Sequence, residues 1–181
     1  MKTMRFMVAF LAICLVIGTV ASAPKVVAYG EGSYGAYWQV LLDVHEEFND
    51  EYGMVQYLEY ALYDMDNNGV KELIVQAGTC EADYVWRIYT IVNNVVNFIG
   101  ETFGGHSMLF ACPDEGFYNM MGHMGYEEIC RVVYINQVVL EEPISAKELA
   151  DDEDYSTPGV PIRTAYITDD SLLWDGDNED A

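Results

Sequence analysis

The chain has 181 residues, 51% of them hydrophobic and 13% aromatic, which is enough apolar material for a folded core and excludes a disordered polyanion. Thirty acidic residues stand against eight basic ones, and the formal charge of −22 repels nucleic acid and anionic membrane surfaces, setting both aside as partners. The acidity also keeps an exported protein soluble, so charge alone does not specify a metal.

The first residues read as an export signal. Lys2 and Arg5 precede an apolar run over residues 6–20, and small residues follow at Ala21, Ser22 and Ala23. The run is shorter than the roughly 20 apolar residues of a spanning helix, which favours a removed leader over a retained anchor. Pro24 directly after Ala23 disfavours a cut there, so cleavage after Ser22 or further on stays open. Cys14 lies deep in the run behind bulky Ile13, unlike a lipid-modified cysteine. The expected organisation is a signal peptide over 1–23, one domain over 24–174 and an acidic tail over 175–181. A secreted or cell-surface location follows, with no stable membrane span once the signal is gone.

Residues 36–51 predict an amphipathic helix. Tyr37, Val40, Leu41, Val44 and Phe48 recur at helical spacing, Asp43, Glu46, Glu47 and Asp50 take the other faces, and Gly53 is a natural stop. His45 is expected beside the apolar stripe as a half-exposed helix residue. The periodicity then switches to strands over 57–63 and 72–77, on either side of an acidic loop. Residues 84–92 are rich in aromatic and β-branched side chains, and Asn93-Asn94 turns the chain into 95–100. A second hairpin is expected over 128–135, Asn136-Gln137 and 138–142, with shorter strands near Met108 and over 117–121. Residues 147–154 predict a polar helical turn or loop, and Pro158 and Pro161 a connector before a strand over 164–167. No long crossover helix separates the strands. The expected class is therefore α+β, an N-terminal amphipathic helix packed on an antiparallel β-meander, with a strand–loop–strand unit near its start.

That loop carries the clearest chemistry in the chain. Asp64, Asp66 and Asn68 place oxygen-bearing side chains at alternate positions, Gly69 permits a sharp turn, Val70 offers a backbone carbonyl and Glu72 closes the set. Oxygen ligands in a flexible loop suit a hard cation, and Ca²⁺ above others. Met65, Asn67 and Lys71 are expected to face outward. A twelve-residue EF-hand would need its closing acid at Val75 and a helix afterwards, whereas Leu73-Ile74-Val75 reads as strand. A solvated Asp/Asn/Gly turn is the competing explanation, but such a turn needs neither both aspartates nor Glu72.

The spacing resembles the Asp-x-Asp-x-Asn-Gly-x-x-Asp/Glu loop of integrin-type FG-GAP and VCBS repeats, in which the last carboxylate stands at the ninth position. One copy does not support a propeller. The phrase from Tyr60 to Val75, behind a leader and a short helix, is also similar to a group of uncharacterised secreted proteins and lipoproteins of Gram-positive bacteria. That resemblance implies export and calcium binding and brings no catalytic residue. The missing lipobox departs from the lipoproteins of the group.

Other features point less far. Asp175, Asp177 and Glu179 alternate without a glycine turn or following strand and read as a tail, and residues 151–154 as a solvated acidic run. Cys80, Cys112 and Cys130 leave one disulfide plus a thiol, or no disulfide, and no CxxC pair for zinc. His106 and His123 sit in glycine-flanked segments and read as turn residues, with a cysteine–histidine nucleophile as the alternative use. Tyr84, Trp86 and Tyr89 are expected to serve packing, although aromatics on an open strand face also suit a sugar ring or a protein partner. The functional expectation is a non-enzymatic calcium-binding module with a protein or carbohydrate ligand. The alternatives are an exported hydrolase using His106 or His123, and a small inhibitor or immunity-like partner.

Overall fold

The computed structural model describes residues 34–49, 53–150 and 153–174. The expected leader and acidic tail, with its alternating acids, lie outside these described residues.

A 3-10 turn at Tyr34–Tyr37 leads into helix α1, Trp38–Glu47. Among the described residues nine strands follow: β1 Glu59–Tyr63, β2 Glu72–Ala77, β3 Val85–Val92, β4 Val95–Phe103, β5 Ser107–Ala111, β6 Phe117–His123, β7 Tyr126–Ile135, β8 Val138–Glu148 and β9 Thr164–Tyr166. A short helix α2, Ser171–Trp174, ends the described chain. The class is α+β with antiparallel strands, as the alternating patterns predict. The meander, however, splits into two sheets, ordered β4-β3-β2-β1-β9 and β5-β6-β7-β8.

The split follows from which strand faces are apolar. In the first sheet Tyr60, Leu73 and Val75 join Tyr37, Leu41 and Val44 of the helical layer. The alternate residues Ala61, Ile74, Trp86 and Ile88 point the other way and meet Leu109, Phe117, Cys130 and Val132 of the second sheet. With both faces covered, β2 is buried at five of its six positions. Fully burying a side chain such as Leu41 or Ile88 stabilises the fold by about 1.5–3 kcal/mol.

Both predicted hairpins form. Asn93 and Asn94 take φ of 52° and 61°, and Asn136 and Gln137 take 53° and 65°. Two consecutive left-handed residues match the right-handed twist of the flanking strands, and asparagine adopts that conformation at low cost. Strand β4 then passes close to β8. Gly100, at φ 156°, has room for no side chain, since a Cβ there would lie 2.7 Å from Cβ of Val139.

Three local expectations are corrected. Helix α1 is ten residues long and ends before Phe48, whose backbone N–H still bonds to Val44 O at 3.1 Å. Residues 147 and 148 belong to β8, because Lys147 and Glu148 pair with Glu127 and Tyr126 of β7. The strand expected over 57–63 begins at Glu59, because Tyr57 closes a 3-10 turn over Met54–Tyr57, whereas Glu153 is exposed as expected and accepts a 2.7 Å bond from Lys147 Nζ.

Beyond β8 the chain straps the second sheet. The Tyr155 ring covers Gly122, Ser156 N–H bonds to buried Glu127, and Ala111 N–H donates to Val160 O at 2.7 Å. Strand β9 then returns to β1, pairing Tyr60 with Ala165. Antiparallel pairing gathers the β1–β2, β3–β4, β5–β6 and β7–β8 connections at one end, and the β2–β3, β4–β5 and β6–β7 connections at the other.

Candidate metal centre

The acidic loop leaves β1 at Tyr63 and rejoins the sheet at Glu72. Its side chains first satisfy its own backbone. Asp64 Oδ1 accepts from Asn68 N at 3.1 Å and its Oδ2 from Gly69 N at 2.8 Å. Asp66 takes Asn68 N at 3.3 Å and Asn68 Nδ2 at 2.9 Å, while Asn68 Oδ1 accepts from Val70 N at 2.7 Å. Asn67 at φ 56° and Gly69 at φ 86° supply the left-handed steps. No atom lies within 4 Å of where a Cβ of Gly69 would be, so conformation and not space requires glycine there.

Asp64, Asp66 and Glu72 each bring a carboxylate oxygen within 4.8 Å of the others. The aspartates are half-buried and Glu72 is 0% exposed. Glu72 Oε2 accepts from Met65 N at 3.0 Å and Oε1 from Thr90 Oγ1 at 2.8 Å. Burial lifts its carboxyl to about 7, the two hydrogen bonds hold it back, and the charges of Asp66 and Asp64 push it further up. Three carboxylates this close, one of them desolvated, form an acidic cluster that can hold a metal ion.

Of the sequence-predicted ligands, these three converge. Asn68 lies exposed on the rim and Val70 half-buried behind it, its N–H committed to Asn68. Asn67 is exposed and Lys71 half-exposed, but Met65 corrects the expectation of an outward side chain. It is fully buried in the inter-sheet core, because it continues the inward alternation of Ala61 and Tyr63 beyond the end of β1.

The loop is pinned from both sides. Met65 O receives Gly116 N at 2.6 Å from the β5–β6 connection. Lys71 N donates to Tyr34 Oη at 3.1 Å, and Tyr37 Oη donates to Lys71 O at 3.0 Å. Burial, and then the Glu72 charge, raise the Tyr37 phenol, so it remains a hydrogen-bond donor. Sequence reasoning missed Thr90 as the partner of Glu72. The available signal was its place on the inward face of β3, two residues beyond Ile88 and four beyond Trp86.

The histidines lie at the opposite end. His106, at φ 50°, and His123 stack with centroids 3.8 Å apart and planes at 18°. His106 Nδ1 is 2.7 Å from Glu81 Oε1, beside a cleft of about 320 Å³ shared with Gln76, Tyr84 and Ser107. Neither Cys112 nor Cys130 lines that cleft, so the structure does not assemble the cysteine–histidine pair. Cys80, Cys112 and Cys130 are all free thiols, and burial pushes Cys130 up to about 11. His45 is half-buried on α1, as expected. Trp86 is buried between the sheets, Tyr89 packs against the helical core, and Arg87 pairs with Glu47 at 2.7 Å over the Phe48 ring. Set against protein-family models, curated proteins and solved structures, the chain matches none.

Proposed function

We propose that the protein is a secreted or cell-surface, non-enzymatic module that binds Ca²⁺ as a structural ion and engages a protein or carbohydrate ligand. The observation that carries this reading is the convergence of Asp64, Asp66 and Glu72 within 4.8 Å, with Glu72 buried and, among the described residues, no basic side chain hydrogen-bonded to any of the three. Asn68 would add its side-chain oxygen, exchanging the bond to Val70 N, and Val70 its carbonyl. An all-oxygen set with neither histidine nor cysteine disfavours zinc, and an exposed, adjustable rim suits calcium better than the rigid octahedron of Mg²⁺. The likeness of the loop to FG-GAP and VCBS loops supports the same ion. Extracellular sites of this kind bind at about 10⁻⁴–10⁻³ M, near ambient calcium outside cells.

Binding to the native state alone stabilises it by mass action. Calcium should raise the melting temperature of the wild type, a chelator should reverse the shift, and Asp66→Ala should abolish it. Magnesium and sodium chloride at matched ionic strength serve as controls. Melting indifferent to both calcium and chelator would reduce the loop to a turn.

A second reading, a hydrolase, draws on the Glu81–His106 pair stacked on His123. A carboxylate beside an imidazole orients a general base. Ser107 Oγ accepts from Trp86 Nε1 at 2.8 Å and, among the described residues, no hydrogen bond joins it to either imidazole, so no serine is paired with that base. The binding module is therefore the better supported of the two.

A further inference from the structure

The two sheets have four edge strands, and the fold treats them unequally. Strand β9 is three residues long, and β4 is interrupted by a bulge and packed at Gly100 against Val139. Strand β5 is covered, because Ala111 N donates to Val160 O and Ile162 N donates to Leu109 O at 2.9 Å. Strand β8 is left open. Among the described residues its eleven positions pair only with β7, and all but Val139 are exposed.

The turn decides which backbone groups face outward. Asn136-Gln137 is a two-residue connection, so Ile135 and Val138 exchange hydrogen bonds, as do Val133 with Leu140 and Arg131 with Glu142. The N–H and C=O groups of Val139 and Glu141 therefore point away from β7, and among the described residues no other strand or loop bonds to them. Proline and bulges are the devices that ordinarily blunt an edge. Here Pro143 and the register shift at Ile129/Cys130 lie beyond Glu142 and leave the stretch from Val138 to Glu142 regular.

The side chains of that stretch say what fits beside it. Val138 and Leu140 share a face with Ile135, and the three are 51%, 46% and 41% exposed, an apolar strip along an open edge. Glu141 stands on the other face, opposite Val132, exposed and in none of the ion pairs among the described residues. Strand alternation then requires an incoming chain with apolar side chains on one face and basic ones on the other. The field of a chain at −22 draws such a cation and repels a second copy of itself.

We propose that the free edge of β8, from Val138 to Glu142, takes a cationic extended segment of a partner protein, which joins the second sheet as a further strand. This deepens, and rests on, the reading of the protein as a binding module by naming the class of its protein ligand. Main-chain hydrogen bonds hold the segment, and the Leu140 and Glu141 faces select its side chains.

The test is a nitrogen-15 amide titration of the calcium-saturated protein with an alternating valine–lysine octapeptide as probe. The amides of Val139 and Glu141 should shift saturably and gain protection from hydrogen exchange, while those of Leu140 and Glu142, already bonded to β7, gain little. Methylating the lysine or the valine amide nitrogens blocks one edge of the peptide or the other, so one methylated form should bind and the other should not. Glu141→Pro, which removes one outward N–H and leaves the β7 ladder intact, should weaken binding about tenfold at an unchanged melting temperature. Glu141→Gln should weaken it in low salt and not in high salt. No saturable shift, equal binding by both methylated forms, or the same shifts on concentrating the protein without peptide would overturn the proposal, the last in favour of a second copy. The Gly69 backbone amide reports loop occupancy separately. A failed peptide titration with a calcium-responsive Gly69 therefore overturns the edge proposal and leaves the metal reading intact.

Discussion

At Glu72 a carboxylate with no exposed surface sits within 4.8 Å of two others, and either a proton or a cation must offset the charge. Unfolded, this group titrates near its ordinary value of 4.5; folded, burial lifts it to about 7. Between those values the native state holds a proton that the unfolded state lacks. The contribution of this proton is complete below about pH 4.5 and is lost as pH rises through about 7. Metal-free protein should therefore lose up to about 3 kcal/mol from this site across that window. Glu72→Gln should flatten that part of the slope, and saturating calcium should do the same by displacing the proton. Denaturant unfolding over a pH series measures it, and equal slopes for wild type and Glu72→Gln would refute the assignment. The rest of the molecular charge moves stability in the same direction, so the difference between variants is the readout. The same residue explains why the acidic triad was legible and its support was not. Alternate acids around a glycine are visible in sequence, whereas Thr90 reaches Glu72 across 18 positions only after β2 and β3 pair.

Among the elements, the hairpins β3–β4 and β7–β8 could be read from sequence because alternation by two meets turn-forming Asn-Asn and Asn-Gln pairs. The division into two sheets could not. It depends on β5 leaving the first sheet after Gly104-Gly105 and on β9 returning to β1 across about 100 residues, and no local pattern encodes either. Met65 shows the same limit at smaller range, since a loop assignment hid the strand alternation that carries it inward. A close inter-sheet approach, Gly100 against Val139, makes a direct test of the packing. Gly100→Ala should destabilise by about 1–3 kcal/mol, because its Cβ meets a side chain and its φ is strained for an L-residue. Trimming the obstacle with Val139→Ala should recover part of that loss. Denaturation of the two single variants and the double variant forms the cycle, and strict additivity would place the cost in the backbone and in the Cβ of residue 139, which alanine retains 2.7 Å away, rather than in the Val139 methyls.

Over the whole molecule the chemistry separates by end. The Asp64, Asp66 and Glu72 carboxylates lie at one end of the two sheets, and the stacked histidines with Glu81 occupy the other. Among the described residues Cys112 follows β5 at the acidic-loop end, Cys80 lies in the β2–β3 connection at the other, Cys130 sits within β7, and none is bridged. On the proposed extracellular reading this has a consequence for how the fold endures, because small exported domains commonly rely on disulfides worth about 2–5 kcal/mol. Here cross-linking falls to noncovalent ties: the β9–β1 pairing, the strap over Gly122, and a cation where the acidic loop takes one. The protein should be indifferent to redox conditions, refolding from denaturant in reducing buffer as completely as in air. Dithiothreitol should leave its melting temperature unmoved while chelator lowers that of the calcium-loaded form, and a drop with reductant alone would reveal a bridge that this fold does not contain. Calcium supply, rather than an oxidising compartment, would then govern its persistence.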